Sequence, residues 1–200
     1  MNQRSALADR YQLIELRTPP QPVRSNFDEL NSHSLDQQDR GLSRVAKRLA
    51  QSLERDTLVQ KTTDELKQML QADRVVLYYF YQRWKGQVTF ESLSAEQLSI
   101  LGSTGADDCF NDEYAALYLD GRVRAIADIE TEPIQECHRD FLRSLQVRAN
   151  LVVPVLTSKG LWGLLIAHHC QAPHQWSAEE IKRMQQSATR LATAPAIRDT

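Results

Sequence analysis

The chain has 200 residues, 42% hydrophobic and 25% charged, with 24 basic against 26 acidic side chains and a net charge of −2. That suits one well-packed domain with flanking chain, and the even charge balance leaves no electrostatic footprint for nucleic acid or an anionic membrane. The N-terminus lacks a signal-peptide core and no apolar run nears bilayer length, so a cytoplasmic protein with free thiols at Cys109, Cys137 and Cys170 is expected.

Residues 1–38 are polar and carry TPPQPVRSN, with Pro19, Pro20 and Pro22, which reads as a tail or linker. The folded domain is expected over 39–195, with 196–200 as a short C-terminal tail. From Asp39, Leu42, Val45, Leu49, Leu53, Leu58, Leu66 and Leu70 recur at helical intervals, and Asp56 or Thr57 could cap a break between two helices. RVVLYYFYQ (74–82), a turn at Lys85-Gly86 and QVTFESL read as strand, turn, strand.

A polar connection at 94–108 leads to the short helical segment NDEYAALYL. Asp120-Gly121 is a turn signal, and VRAIADI after it reads as a strand. A helix is expected at 133–145, with Thr131 as its cap and Pro133 early in its first turn. VRANLVVPVLT, Lys159-Gly160 and LWGLLIAHHC form a second hairpin. Ser177 caps a last helix, with Glu179 and Arg183 at neighbouring-turn spacing. Two hairpins plus helices predict an α+β fold, a central antiparallel sheet flanked by helices.

Cys137 lies early in PIQECHRDFLRSL, bordering a stripe of Ile134, His138, Phe141, Leu142 and Leu145. Locally it reads either as a core cysteine beside a core-edge histidine or as an accessible thiol near a helix start, suited to capturing an apolar electrophile. Cys109 sits in a polar connection between Asp108 and Phe110. In LWGLLIAHHC, strand alternation puts Trp162, Leu164, Ile166, His168 and Cys170 on one face and Leu161, Gly163, Leu165, Ala167 and His169 on the other.

Taken together, DRVVLYYF (73–80), DDCF (107–110), GRVRAIADI (121–129), CH (137–138), VRANLVVPV (147–155) and LWGLLIAHHC (161–170) resemble the cyanobacteriochromes, GAF-domain photoreceptors related to phytochromes. The likeness runs over about 56–193, and Cys109 and Cys137 stand 28 positions apart. It implies that Cys137 forms a thioether with the A-ring side chain of phycocyanobilin, and that His138 packs beneath the tetrapyrrole. Asp107, Asp108, Cys109 and Phe110 resemble the D-x-C-F signature of the two-cysteine subgroup. There Asp107 contacts pyrrole N–H groups and Cys109 adds reversibly at the C10 methine.

The resemblance further implies that Arg122 holds a propionate and that His168 lies near the D ring, with His169 as the fallback. Arg148 is a second candidate for carboxylate binding, and Phe110 and Phe141 complete the expected chromophore-binding set. It implies photoconversion by C15=C16 isomerisation between a violet or blue state and a green-to-orange one, on phycocyanobilin or phycoviolobilin. No catalytic role is expected, and output belongs to a domain or partner outside the chain, with terminal helices that could pair two copies. The alternative is a GAF domain binding a small ligand such as a cyclic nucleotide noncovalently; a zinc site at Cys109, Cys137, His138 and Cys170 lacks the close ligand spacing.

Overall fold

A computed structural model of the chain describes residues 26–82, 85–105 and 112–198, with only the backbone described at 26–39 and 112–115. The chain divides into two units, residues 1–46 and 47–200. The described part of the first is the opening of helix α1 (Asn26–Leu70). The second holds β1 (Arg74–Gln82), β2 (Lys85–Leu93), a single 3-10 turn (Glu96–Leu98) and α2 (Asp112–Leu119). It continues with β3 (Arg124–Ile126), α3 (Glu136–Ser144), β4 (Ala149–Thr157), β5 (Gly160–His169), α4 (Ala178–Thr193) and α5 (Pro195–Arg198).

The five strands form one antiparallel sheet in the order β2-β1-β5-β4-β3, the α+β arrangement that the two hairpins predicted. Strand alternation gives the sheet two different faces. On one, Val75, Leu77, Val153, Leu165 and Ala167 pack with Leu66 and Leu70 of α1 and Met184 and Leu191 of α4 in a continuous core. The other face carries Val76, Tyr78, Val152, Leu164 and Ile166 and borders a cavity, with Tyr118 of α2 packed on Val152 and Leu164.

Four local expectations need correction. α1 starts at Asn26, ahead of the helical pattern read from Asp39, and runs through Asp56 and Thr57 without a break. No glycine or proline stops it there, and Asp56 accepts a hydrogen bond from Arg55 Nε at 3.0 Å instead of capping a new helix. The third strand covers only 124–126, because Asp128 turns the chain: its carboxylate accepts from Glu130 N and its carbonyl from the amides of Thr131 and Glu132. α3 accordingly begins at Glu136 with Gln135 as N-cap, so neither Thr131 nor Pro133 starts it.

Trp162 packs with the helix-side core and Leu161 with the cavity-side cluster, the reverse of strict alternation. Val155 pairs Gly163 and Leu156 pairs Leu161, leaving Trp162 as the extra residue of a β-bulge. Beyond the bulge the expected alternation holds, with Leu164, Ile166 and His168 turned to the cavity. Gly163 sits where β5 crosses β1 closely: a Cβ there would stand 2.7 Å from the Tyr78 carbonyl oxygen.

Ser177 caps α4 as expected, in a complete capping box with Glu180, and Arg183 pairs Glu179 at 3.1 Å. Along α1, Leu42, Val45, Leu49 and Leu53 are exposed, whereas Val59, Leu66 and Leu70 are buried. No helix among the described residues is long and apolar enough to cross a membrane. Ser177→Ala should lower stability by about 1 kcal/mol through loss of the cap. Lys182→Ala on the exposed face of the same helix should stay within about 0.5 kcal/mol; urea unfolding midpoints check both.

Candidate functional site

The cavity has a volume of about 310 Å³. Its floor is the sheet face of Val76, Val152, Leu164 and Ile166, and its side wall is α3 with His138, Phe141, Leu142 and Leu145. α3 reaches this position through its arginines. Arg139 Nε donates to the Ile129 carbonyl at 2.9 Å and its Nη2 to the Glu132 carbonyl at 2.9 Å. Arg143 reaches Glu130 and Asp140. These contacts clip the helix to the turn that precedes it, and Leu142 anchors its inner face beside Ile126 and Ile129.

The structure brings Arg122, His138, Phe141 and His168 together at this cavity. Cys137 stands in the first turn of α3, exposed, with its thiol 3.8 Å from Gln135 Oε1. It is one residue from His138, whose side chain lines the cavity. Asp107, Asp108, Cys109 and Phe110 lie outside the described residues. Arg148, the second carboxylate-binding candidate, is engaged elsewhere: its Nε and Nη2 each donate to Asp128 at 2.8 Å, a bidentate pair that does not line the cavity. Of the adjacent histidines, only His168 lines the cavity. His169 stacks on His174, with ring centroids 4.1 Å apart, and neighbours Trp176.

Three cavity-side groups escaped the sequence reading. Arg124 lines the cavity while pairing with Glu132 at 2.7 Å. Asn150, also in the lining, is buried with its Oδ1 lacking a hydrogen-bond partner among the described residues. Arg74 is fully buried and donates from Nε to His168 Nδ1 at 3.0 Å, from Nη2 to the Leu145 carbonyl at 2.9 Å, and from Nη1 to the Leu98 carbonyl. The available signal was a charged or amide side chain inside an otherwise apolar strand, in RVVLYYF and ANLVVPV. A polar residue there is out of place unless it has a partner or a ligand.

The site's imidazoles are kept neutral. Burial, then the Arg124 and Arg122 guanidinium groups, push His138 below the ordinary histidine range. Burial, then Arg74, push His168 well below it. His169 is lowered by burial and by His174. The cavity therefore offers apolar walls, two guanidinium groups, neutral ring nitrogens and one buried amide oxygen. That set suits a mostly apolar ligand with carboxylates and a few N–H or C=O groups.

Comparison with known proteins agrees with this geometry. Residues 54–194 match the GAF domain. An uncharacterised protein of Picosynechococcus sp. is 53% identical over 154 residues, covering 77% of this chain and 94% of its own length. The PixJ GAF domain of Thermosynechococcus elongatus, solved in its blue-light-absorbing form, is 33% identical, with a TM-score of 0.67 over 72% of this chain and 86% of that one. The phycocyanobilin-bound GAF domain of a cyanobacterial phytochrome is 32% identical, with a TM-score of 0.66 over 80% of this chain and 94% of that one. Other curated relatives are longer proteins, circadian input-output histidine kinases among them; the chain spans 14 to 25% of their length.

Because His138, His168 and His169 titrate lower when folded, the unfolded chain takes up protons that the folded one refuses. Their contribution to stability is present above about pH 6.5, the unfolded value, and is lost as pH falls below it. The urea midpoint should drop between pH 7.5 and 5.5, and His138→Gln should make the drop shallower. An unchanged midpoint across that window would contradict the neutral assignment.

Proposed function

The chain belongs to the GAF domain family, and from that premise we propose that it is the sensory module of a photoreceptor that holds a linear tetrapyrrole through Cys137. The observation that carries this reading is the exposed Cys137 thiol on the first turn of α3, one residue from a histidine that lines an apolar cavity. A noncovalent ligand gives no use for that thiol. Similar GAF domains from a cyanobacterial phytochrome bind phycoerythrobilin and phycocyanobilin, which supports the same choice.

The residues present fit such a group. The cavity falls within the ~300–1,000 Å³ of typical ligand pockets, its walls are mainly apolar, and Arg122 and Arg124 bring cationic groups suited to two propionates. His138 and Phe141 would pack against the ring system. The Cys137 S–H would add across a double bond of the A-ring side chain, sulfur to carbon and proton to the ring, with nothing leaving and no oxidant needed. Bound there, the bilin supplies light absorption and isomerisation about C15=C16.

The proposal keeps Asp107 as the partner of the pyrrole N–H groups and Cys109 as a second sulfur for the C10 methine, on the sequence signature they share. A thioether at C10 divides the conjugated system, so a violet or blue state alternating with a green-to-orange one is expected, on phycocyanobilin or phycoviolobilin. Signal would leave through the terminal helices to an output domain or partner. Exposed Leu49 and Leu53 on α1 are the kind of residues that pairing of two copies would cover.

The test is to produce the chain in cells that synthesise phycocyanobilin, denature it, and look for zinc-enhanced fluorescence of the protein band. A fluorescent band is expected, and its absence overturns the reading. Cys137→Ala should remove the pigment from the denatured band. Cys109→Ala should leave the pigment attached and move the dark-state absorption to longer wavelength; an unshifted spectrum would remove the second sulfur from the mechanism.

A further inference from the structure

Arg74 is a charged side chain placed where a strand would ordinarily carry an aliphatic one. It is fully buried, and its three described hydrogen bonds go to His168 Nδ1 and to two backbone carbonyls, with no carboxylate among the acceptors. Taking a guanidinium out of water costs several kcal/mol, and the hydrogen bonds that offset this cost hold their acceptors in place. What they fix is the histidine. A guanidinium N–H can only donate, so His168 Nδ1 must be a bare acceptor, and a neutral imidazole with a bare Nδ1 carries its proton on Nε2.

Asn150 stands opposite His168 in the β4–β5 register, and both side chains line the cavity. Directly paired residues place their Cβ atoms about 5 Å apart. The wall here therefore holds one N–H donor and one amide oxygen side by side, and that oxygen is buried without a partner among the described residues. A lone buried acceptor of this kind is costly unless something donates to it. The same wall lies toward the far end of α3 from the attachment residue. Arg74 grips the carbonyl of Leu145, eight residues beyond Cys137, which is about 12 Å along a helix.

We propose that Arg74 is a positioning residue that holds His168 as the Nε2–H tautomer, so that His168 and Asn150 together form a donor–acceptor pair reading the adjacent C=O and N–H of a terminal lactam. His168 Nε2–H donates to the lactam oxygen, and Asn150 Oδ1 accepts from the lactam N–H. The tautomer part concerns the protein alone; the lactam part rests on the tetrapyrrole reading. The pair also supplies a reason for a buried guanidinium at the start of β1, since without it the imidazole is free to present either nitrogen.

The tautomer is read by long-range proton–nitrogen NMR of the imidazole rings in the full 15N-labelled chain, pigment-free and pigment-loaded, with His168→Gln identifying the His168 signals. The expected wild-type pattern has Nδ1 unprotonated and Nε2 protonated, unchanged from pH 8 to 5.5. A protonated Nδ1 in the wild-type chain overturns the proposal without any variant at Arg74. Arg74→Met should give mixed tautomers, with the ring still kept low by its burial; an unchanged pattern overturns it as well.

In the pigment-loaded chain, Asn150→Leu should shift the absorption peak of one photostate. Arg74→Met should broaden the absorption band through its mixed tautomers, and the band should narrow again in Arg74→Met/His168→Gln, where the glutamine amide donates without a choice of tautomer. Attached pigment with all these spectra unchanged sinks the lactam pairing alone. A wild-type chain that carries no pigment sinks the tetrapyrrole reading and leaves the tautomer result standing.

Discussion

Around the fully buried Arg74 guanidinium at the start of β1, four separate pieces of chain are brought to one point. Its own strand supplies the cation, β5 supplies His168, the 3-10 turn supplies the Leu98 carbonyl, and the end of α3 supplies the Leu145 carbonyl. Because a guanidinium is planar with donors in fixed directions, the acceptors must take fixed places around it. Through this one group His168 and Leu145, both of which line the cavity, are tied to each other. Burial works against its charge, with Asp73 and Glu91 among the groups favouring it.

The two faces of the sheet divide the labour of the fold. On the helix side, aliphatic residues of β1, β4 and β5 meet α1 and α4 and supply most of the burial on which stability rests. The cavity side gives up that burial, and α3 is held over it by arginine contacts to a turn as well as by Leu142. A helix mounted this way can carry an exposed thiol on its outer end while presenting His138 and Phe141 inward. Space for a ligand lies between this face and α3, with Tyr118 of α2 also in the lining.

Strand β5 joins the two sides at its C-terminal end. His168 faces the cavity, and its neighbour His169 faces the opposite side, stacked on His174. His174 in turn contacts Glu180 at 2.8 Å, and Glu180 closes the capping box of α4 with Ser177. The end of the strand that lines the cavity is thus physically continuous with the start of the helix on the other face. Trp176 adds a second tie from that helix start to β3, through its indole N–H and the Ile126 carbonyl at 3.1 Å.

Much of this was legible in one dimension. Strand and helix periods, turn residues and the Ser177 cap are local properties, so both hairpins, the α+β class and the last helix could be read from the sequence itself, whereas the candidacy of Cys137, His138, Arg122, Phe141 and His168 came from the family resemblance. The start of α3 and the short third strand were not, because Asp128 and Arg139 reshape that segment through contacts across several residues. Arg148 could have served as a carboxylate clamp until folding placed Asp128 against it. The facing of Trp162 depended on a bulge, which is a relation between two strands. Arg74 and Asn150 were visible only as polar residues in apolar strands; a hydrogen-bond partner 94 residues away, or the lack of any, exists only once the chain is folded.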